Sequence, residues 1–184
     1  GYSTSPHVLT SLEFERVLSA SGTYRGAVQR PHDGKVAKRI AWIQCVGSRN
    51  RRTGRHFCSS VCCMFALKEA VLAHEKGGDD VETTIFYMDM RTFGKSFQRY
   101  RDQAERMHGL RFERARIHTV IRDAASHDLI IQGVDLSGKH TAERFDMVVL
   151  TVGQRPMPAT AELSELAAIE VNPFGFGQPE PFSL

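Results

Sequence analysis

All four cysteines of this chain fall in one stretch, as Cys45-(x12)-Cys58-(x3)-Cys62-Cys63. The stretch joins an apolar strand pattern over residues 39–46 to an amphipathic helical pattern opening near Ser60. Four thiols are thereby committed to a strand-to-helix junction, and three uses for them can be weighed. Disulfides belong to small oxidised chains that lack a core, whereas 184 residues with 41% hydrophobic content, and no secretory signal, can build one. Structural zinc normally shows paired Cys-x2-Cys knuckles; here two thiols are adjacent and another pair straddles a twelve-residue loop. An iron-sulfur cluster needs four thiolates, tolerates irregular spacing and places a negatively charged inorganic core among them. Arg49, Arg51, Arg52 and Arg55 crowd the intervening loop. Cys62 and Cys63 fall near the first turn of the helix, where unpaired N–H groups and the positive end of the dipole favour anions. The same arginines also fit a solvated basic loop.

The segment from Ile40 to Arg49, IAWIQCVGSR, and the segment from Phe57 to Ala66, FCSSVCCMFA, closely resemble the iron-sulfur A-subunit of heterodisulfide reductases and its relatives in sulfate-reducing and sulfur-oxidising microbes. The resemblance continues through Val8–Arg16, Ile85–Arg91 and Asp146–Gly153, and so covers nearly the whole chain. It implies an electron carrier with a flavin and an iron-sulfur cluster on a thioredoxin-reductase-like scaffold. Carried over by position, Cys45, Cys58, Cys62 and Cys63 match the family's unusual 4Fe-4S ligand pattern. Thr151 and Gly153, at the end of the last strand, match the point where such chains return to the FAD lobe. The FAD site is expected to be incomplete, because the first G-x-G-x-x-G and the later glycine-aspartate motif are both absent, and the fragment alone is expected to be inactive. The implied partners are other iron-sulfur subunits of a heterodisulfide reductase-type complex and an electron donor such as a hydrogenase or dehydrogenase, with a homodimer as a further expectation.

Composition sets outer bounds. A net charge of +3 is only mildly basic, and no nucleic-acid-binding motif accompanies it. No apolar run approaches the length of a membrane span. Four thiols in one ligand set suit a reducing compartment, which places the expectation in the cytoplasm.

Along the chain, Thr10-x-x-Glu13 has capping-box spacing and predicts a helix over 11–21 burying Leu12, Val17 and Leu18. Residues 22–38 lack periodicity and predict a crossover. From Arg39 the pattern alternates strand and helix: strands over 40–46, 81–89 and 111–115, a helix from about Ser60 turning Val61, Phe65, Leu67, Val71 and Leu72 inward, and a helix over 95–108. Short β-prone segments over 117–122, 128–134 and 140–145 predict an antiparallel meander before a last parallel strand over 146–152. The expected class is α/β: a Rossmann-like parallel sheet with an inserted meander, the nicotinamide-type lobe of a two-domain flavoprotein. Residues 1–38 and 153–184 are expected to be pieces of the FAD lobe on either side of the lobe over 39–152.

Such a lobe should carry G-x-G-x-x-G after its first strand, yet Gly47 stands alone there. The cluster is therefore expected to take the helix end that NAD(P) would have used. Asp89, where an acidic residue would meet a ribose, is read as a turn or capping aspartate. A zinc-stapled docking module and an NAD(P)H-dependent lobe are the alternative functions. Among the histidines only His56 lies near a cysteine, and a solvent-facing position suits it best.

Overall fold

β2 (Arg39–Val46) lies at the centre of the molecule because its sequence leaves it no exposed face. Ile40, Ala41 and Trp42 are fully buried, as a near-continuous apolar run requires. The computed structural model describes residues 1–179. In it β2 is flanked in parallel by β7 (Met147–Val152) and β3 (Glu82–Tyr87). β1 (Val8–Thr10) continues the parallel set beyond β7, and β4 (Arg111–Arg122) continues it beyond β3. β5 (Leu129–Asp135) and β6 (His140–Phe145) then add in antiparallel fashion, giving one sheet in the order β1-β7-β2-β3-β4-β5-β6. This is the expected Rossmann-like α/β sheet with its antiparallel meander.

One face of the sheet is covered by α1 (Ser11–Leu18) and α2 (Cys62–Gly77), which bury Phe14, Trp42, Leu67 and Val71 together. On the other face Val8, Phe86, Leu129, Ile131, Phe145 and Val148 form a second core. α3 (Phe97–Met107) and α4 (Thr160–Leu166) complete the helices. The capping box forms: the Thr10 hydroxyl accepts from Glu13 N–H at 3.4 Å while the Glu13 carboxylate accepts from Thr10 N–H at 2.7 Å.

Four details differ from the sequence expectation. α1 stops at Leu18 and turns Leu12 outward, 76% exposed, because Phe14, Val17 and Leu18 supply the i, i+3, i+4 stripe. Phe65 also faces out; α2 instead meets the sheet through Leu67 and the small side chains of Ala66, Ala70 and Ala73, which let the helix approach closely. The strands expected over 111–115 and 117–122 are one strand, since no turn residue separates them; β4 pairs with β3 through Arg111–Arg114 and with β5 from Ala115 onward. β1 carries no sequence signal, because three residues form a strand only when β7 offers them an edge.

The crossover is pinned rather than loose. Arg30, 4% exposed, pairs with Asp128 at 2.9 Å and Asp33 at 3.2 Å and donates to His7 Nε2 at 3.3 Å, tying residues 30–33 to the meander and to the lead into β1.

One buried group has no signature in the sequence at all. Glu69, on the sheet-facing side of α2, is 2% exposed and accepts from Trp42 Nε1–H at 2.9 Å. Burial raises its pKa from 4.5 to about 8, partly offset by the indole hydrogen bond. Because the folded value lies above the unfolded one, the contribution of Glu69 to stability is complete below pH 4.5 and is lost as pH rises through about 8. Denaturant titrations between about pH 5 and 8 should show this group lowering stability by about 1.4 kcal/mol per pH unit. Glu69→Gln, which keeps an acceptor for Trp42, should flatten that slope; an unchanged slope would mean the carboxyl is ionised in the fold.

Candidate functional site

The strand end that carries Cys45 is irregular. Pairing of β2 with β7 shifts register between Ile43 and Val46, and Cys45 takes a left-handed backbone at φ +62°, followed by Gly47 at +71° and Arg49 at +54°. A left-handed non-glycine residue costs about 1–2 kcal/mol, so the surroundings must hold it. They do so through a turn in which Ser48 N–H donates to Cys45 O at 3.2 Å, and through Gly153 N–H on Val46 O at 3.1 Å.

The arginine-rich interval then folds back on itself. Asn50 and Arg55 exchange backbone hydrogen bonds at 2.8 and 3.1 Å, the Asn50 side chain accepts from Arg52 N–H at 2.9 Å, and Gly54 supplies the left-handed corner. Arg49 N–H reaches Phe57 O at 3.1 Å, so the chain returns beside its own start and delivers Cys58 to the turn bearing Cys45. α2 opens directly on Cys62 and Cys63, with no side-chain cap at Val61. Ser60 N–H donates to Cys58 Sγ at 3.3 Å and Arg91 N–H to Cys63 Sγ at 3.4 Å. All four thiols are free; Cys62 and Cys63 are buried, Cys45 and Cys58 half-buried.

The thiols sense one another's charge. Burial, then the neighbouring Cys62, push the Cys45 thiol up, while Arg49 works the other way. Cys62 is drawn down by the adjacent Cys63 thiol, against burial, with help from the Ser59 hydroxyl and the backbone N–H groups of Cys62 and Cys45. Cys63 is pushed up, first because its thiol proton is shared in a hydrogen bond with Cys62 and then by burial, against the Arg91 N–H. Asp89 caps no helix: it forms ion pairs with Arg49 and, at 2.9 Å, with Arg91, and the Arg49 guanidinium holds its carboxyl below the usual range. The aspartate thus fixes two arginines against the thiol group. Among the described residues no three Cys, His, Asp or Glu side chains are gathered to hold a metal ion between them.

The donor set nevertheless suits an iron-sulfur cluster: four thiols, N–H groups on two sulfurs, an uncapped helix start and two anchored guanidiniums. Gln44 and Ser48, buried on either side of Cys45 in the chain, leave the amide and hydroxyl without partners, and an acceptor-rich anion would satisfy their donors. A flavin fits these residues poorly. Thr151 is 1% exposed with an unpaired hydroxyl, and a Cβ on Gly153 would come within 2.6 Å of Ser48, so the glycine serves the Ser48 turn. His56 meets Phe174 edge-on and is exposed. Arg91, the bridging role of Asp89 and the Phe57–Phe174 contact carry no sequence signal, because each depends on segments joined only by the fold.

No protein-family model matches the chain. The CoB–CoM heterodisulfide reductase iron-sulfur A-subunit 2 of Methanopyrus kandleri is 41% identical over 177 residues, 96% of this chain and 27% of that protein. The corresponding iron-sulfur A-subunit of Methanocaldococcus jannaschii is 39% identical over the same shares. Among solved structures, the lysine monooxygenase NbtG of Nocardia farcinica superposes with a TM-score of 0.51 at 11% identity, over 90% of this chain and 43% of that one, a likeness of fold alone. The chain spans about a quarter of the length of the curated relatives it matches, and over that stretch it is similar to heterodisulfide reductase iron-sulfur A-subunits at 38–41% identity.

Proposed function

We propose that this chain is the cluster-bearing segment of an electron-transfer subunit in a heterodisulfide reductase-like oxidoreductase complex, with Cys45, Cys58, Cys62 and Cys63 as the ligands of one 4Fe-4S cluster. The observation that carries the reading is that the end of β2, the uncapped start of α2 and the irregular stretch between them carry four free thiols near enough to influence one another's charge, with Arg49 and Arg91 paired to Asp89 beside them. When bound, such a cluster supplies reversible one-electron transfer. The chain's own residues hold it, favour its negative charge and restrict water; no side chain here is assigned acid, base or nucleophilic work.

FAD enters the reading as a cofactor held by chain outside residues 1–179, with Thr151 and Gly153 only marking where the chain turns back toward it, since the one is buried and the other is packed against Ser48. Residues 153–184 then lead into an FAD lobe, whereas β1 and α1, expected with residues 1–38 to belong to it, join the sheet and core of the lobe over 39–152; residues 180–184 lie outside the described ones. Other iron-sulfur subunits, and a donor such as a hydrogenase or dehydrogenase, are the partners, and the cytoplasm is the compartment. No helix among the described residues is long and apolar enough to cross a membrane.

Anaerobic purification with iron, acid-labile sulfide and EPR measurements tests the ligand set. About four irons and four sulfides per chain, with a signal on dithionite reduction that is lost in Cys62→Ala, is the expected result. A colourless chain holding one zinc after anaerobic reconstitution would transfer the cysteines to the docking-module alternative. Arg49→Gln removes a cation from beside the thiols and should lower the midpoint potential by something on the order of 50 mV, measured by EPR-monitored titration. A potential within about 10 mV of the parent would show that Arg49 does not sense the cluster charge.

A further inference from the structure

Three of the four thiols sit on regular structure or its end: Cys45 on β2, Cys62 and Cys63 on α2. Cys58 does not. It lies in an irregular stretch, where its local supports are the Arg49 N–H bond to Phe57 O at 3.1 Å and the Ser60 N–H bond to its own Sγ at 3.3 Å.

A third support comes from the far end of the chain. Phe57, the residue before Cys58, has its ring 4.9 Å from that of Phe174 and meets Phe176 edge-on at 5.6 Å, while His56 meets Phe174 at 5.4 Å. The two distant rings are presented by a well-tied turn. The Asn172 side-chain oxygen accepts from the N–H groups of Phe174 at 2.9 Å and Phe176 at 3.2 Å. Val171 and Gly177 bridge across the turn, and Gln178 N–H donates to Glu170 O at 2.7 Å. Gly175 sits at φ +82°, where a Cβ would stand 3.0 Å from Pro156, so the turn also leans on the exit from β7. Phe174 remains 40% exposed, and the ring contacts it makes are with His56 and Phe57.

We infer that Phe174 and Phe176 form an aromatic clasp that positions the Cys58 thiol, so that the segment after β7 completes the ligand set. The inference rests on the four cysteines forming one set. Both phenylalanines are positioning residues acting through Phe57. Because Cys45, Cys62 and Cys63 have secondary-structure anchors of their own, loss of the clasp releases Cys58 selectively.

Per-cysteine alkylation tests this. The native, untruncated polypeptide, reduced and metal-free under argon, is labelled with iodoacetamide and each thiol is followed by mass spectrometry. The parent is compared with the Phe174→Ala/Phe176→Ala and Phe174→Leu/Phe176→Leu double variants. Cys58 should label about tenfold faster in the alanine variant, with the other three thiols within about twofold of the parent and the leucine variant recovering most of the protection. Equal acceleration at all four thiols, which is general loosening, overturns the clasp, as does an unchanged Cys58. In the iron-loaded protein the alanine variant should also release iron to a ferrous chelator about tenfold faster. If the parent holds no iron the cluster reading falls, while the alkylation result still decides the clasp.

Discussion

The uncapped start of α2 is the constraint around which this molecule is arranged. A helix leaves its first four N–H groups without partners, and most sequences satisfy some of them with a serine, threonine or aspartate at the cap. Here Val61 occupies that place and Cys62 and Cys63 follow at once. The positive helix end is thus kept open toward the thiols. Its position is set from beneath, because α2 rests on β2 through alanines and Leu67, and β2 is held on both sides by parallel neighbours. The sheet therefore aims the end of one strand and the start of one helix at the same spot, the carboxyl edge where open α/β sheets bind their ligands.

Charge at that spot is arranged in two tiers. Arg49 and Arg91 are locked by Asp89. Arg51 and Arg52, on the tip of the folded-back interval, are exposed and have no carboxylate partner among the described residues. The inner pair acts at short range and is little screened by salt; the outer pair acts only within roughly a Debye length of solvent. A run of arginines that looks uniform in the sequence is thus divided by the fold into a structural part and a solvated part.

The architecture was legible where periodicity was strong: the buried runs of β2 and β7, the alternating meander and the Thr10–Glu13 capping box all formed as expected. The strand-to-helix junction that carries the cysteines was legible because the apolar run ends at Val46 and the helical pattern opens close by. What failed did so for lack of local signal. Leu12 and Phe65 are apolar residues off the buried stripe, and only the docking direction of each helix decides that. Glu69 looks like any surface glutamate until Trp42 is placed under it. Asp89 stands where a ribose ligand would, with no glycines beside it to serve one, whereas its partners, forty residues back and two ahead, are arginines.

Backbone conformation separates this junction from a nucleotide cradle. In dinucleotide sites glycines occupy the turn so that bare backbone can approach a pyrophosphate. Here Cys45, Arg49 and Ser60 adopt the left-handed conformation that glycine takes freely, each at a cost in strain. Glycine at these positions would relax the turn and open the helix end to a phosphate, but it would remove the Cys45 thiol and the Arg49 guanidinium. A sequence that accepts the strain keeps side chains where a nucleotide site keeps none. Only a ligand that binds through side-chain sulfur and charge, rather than through bare backbone, makes use of that exchange.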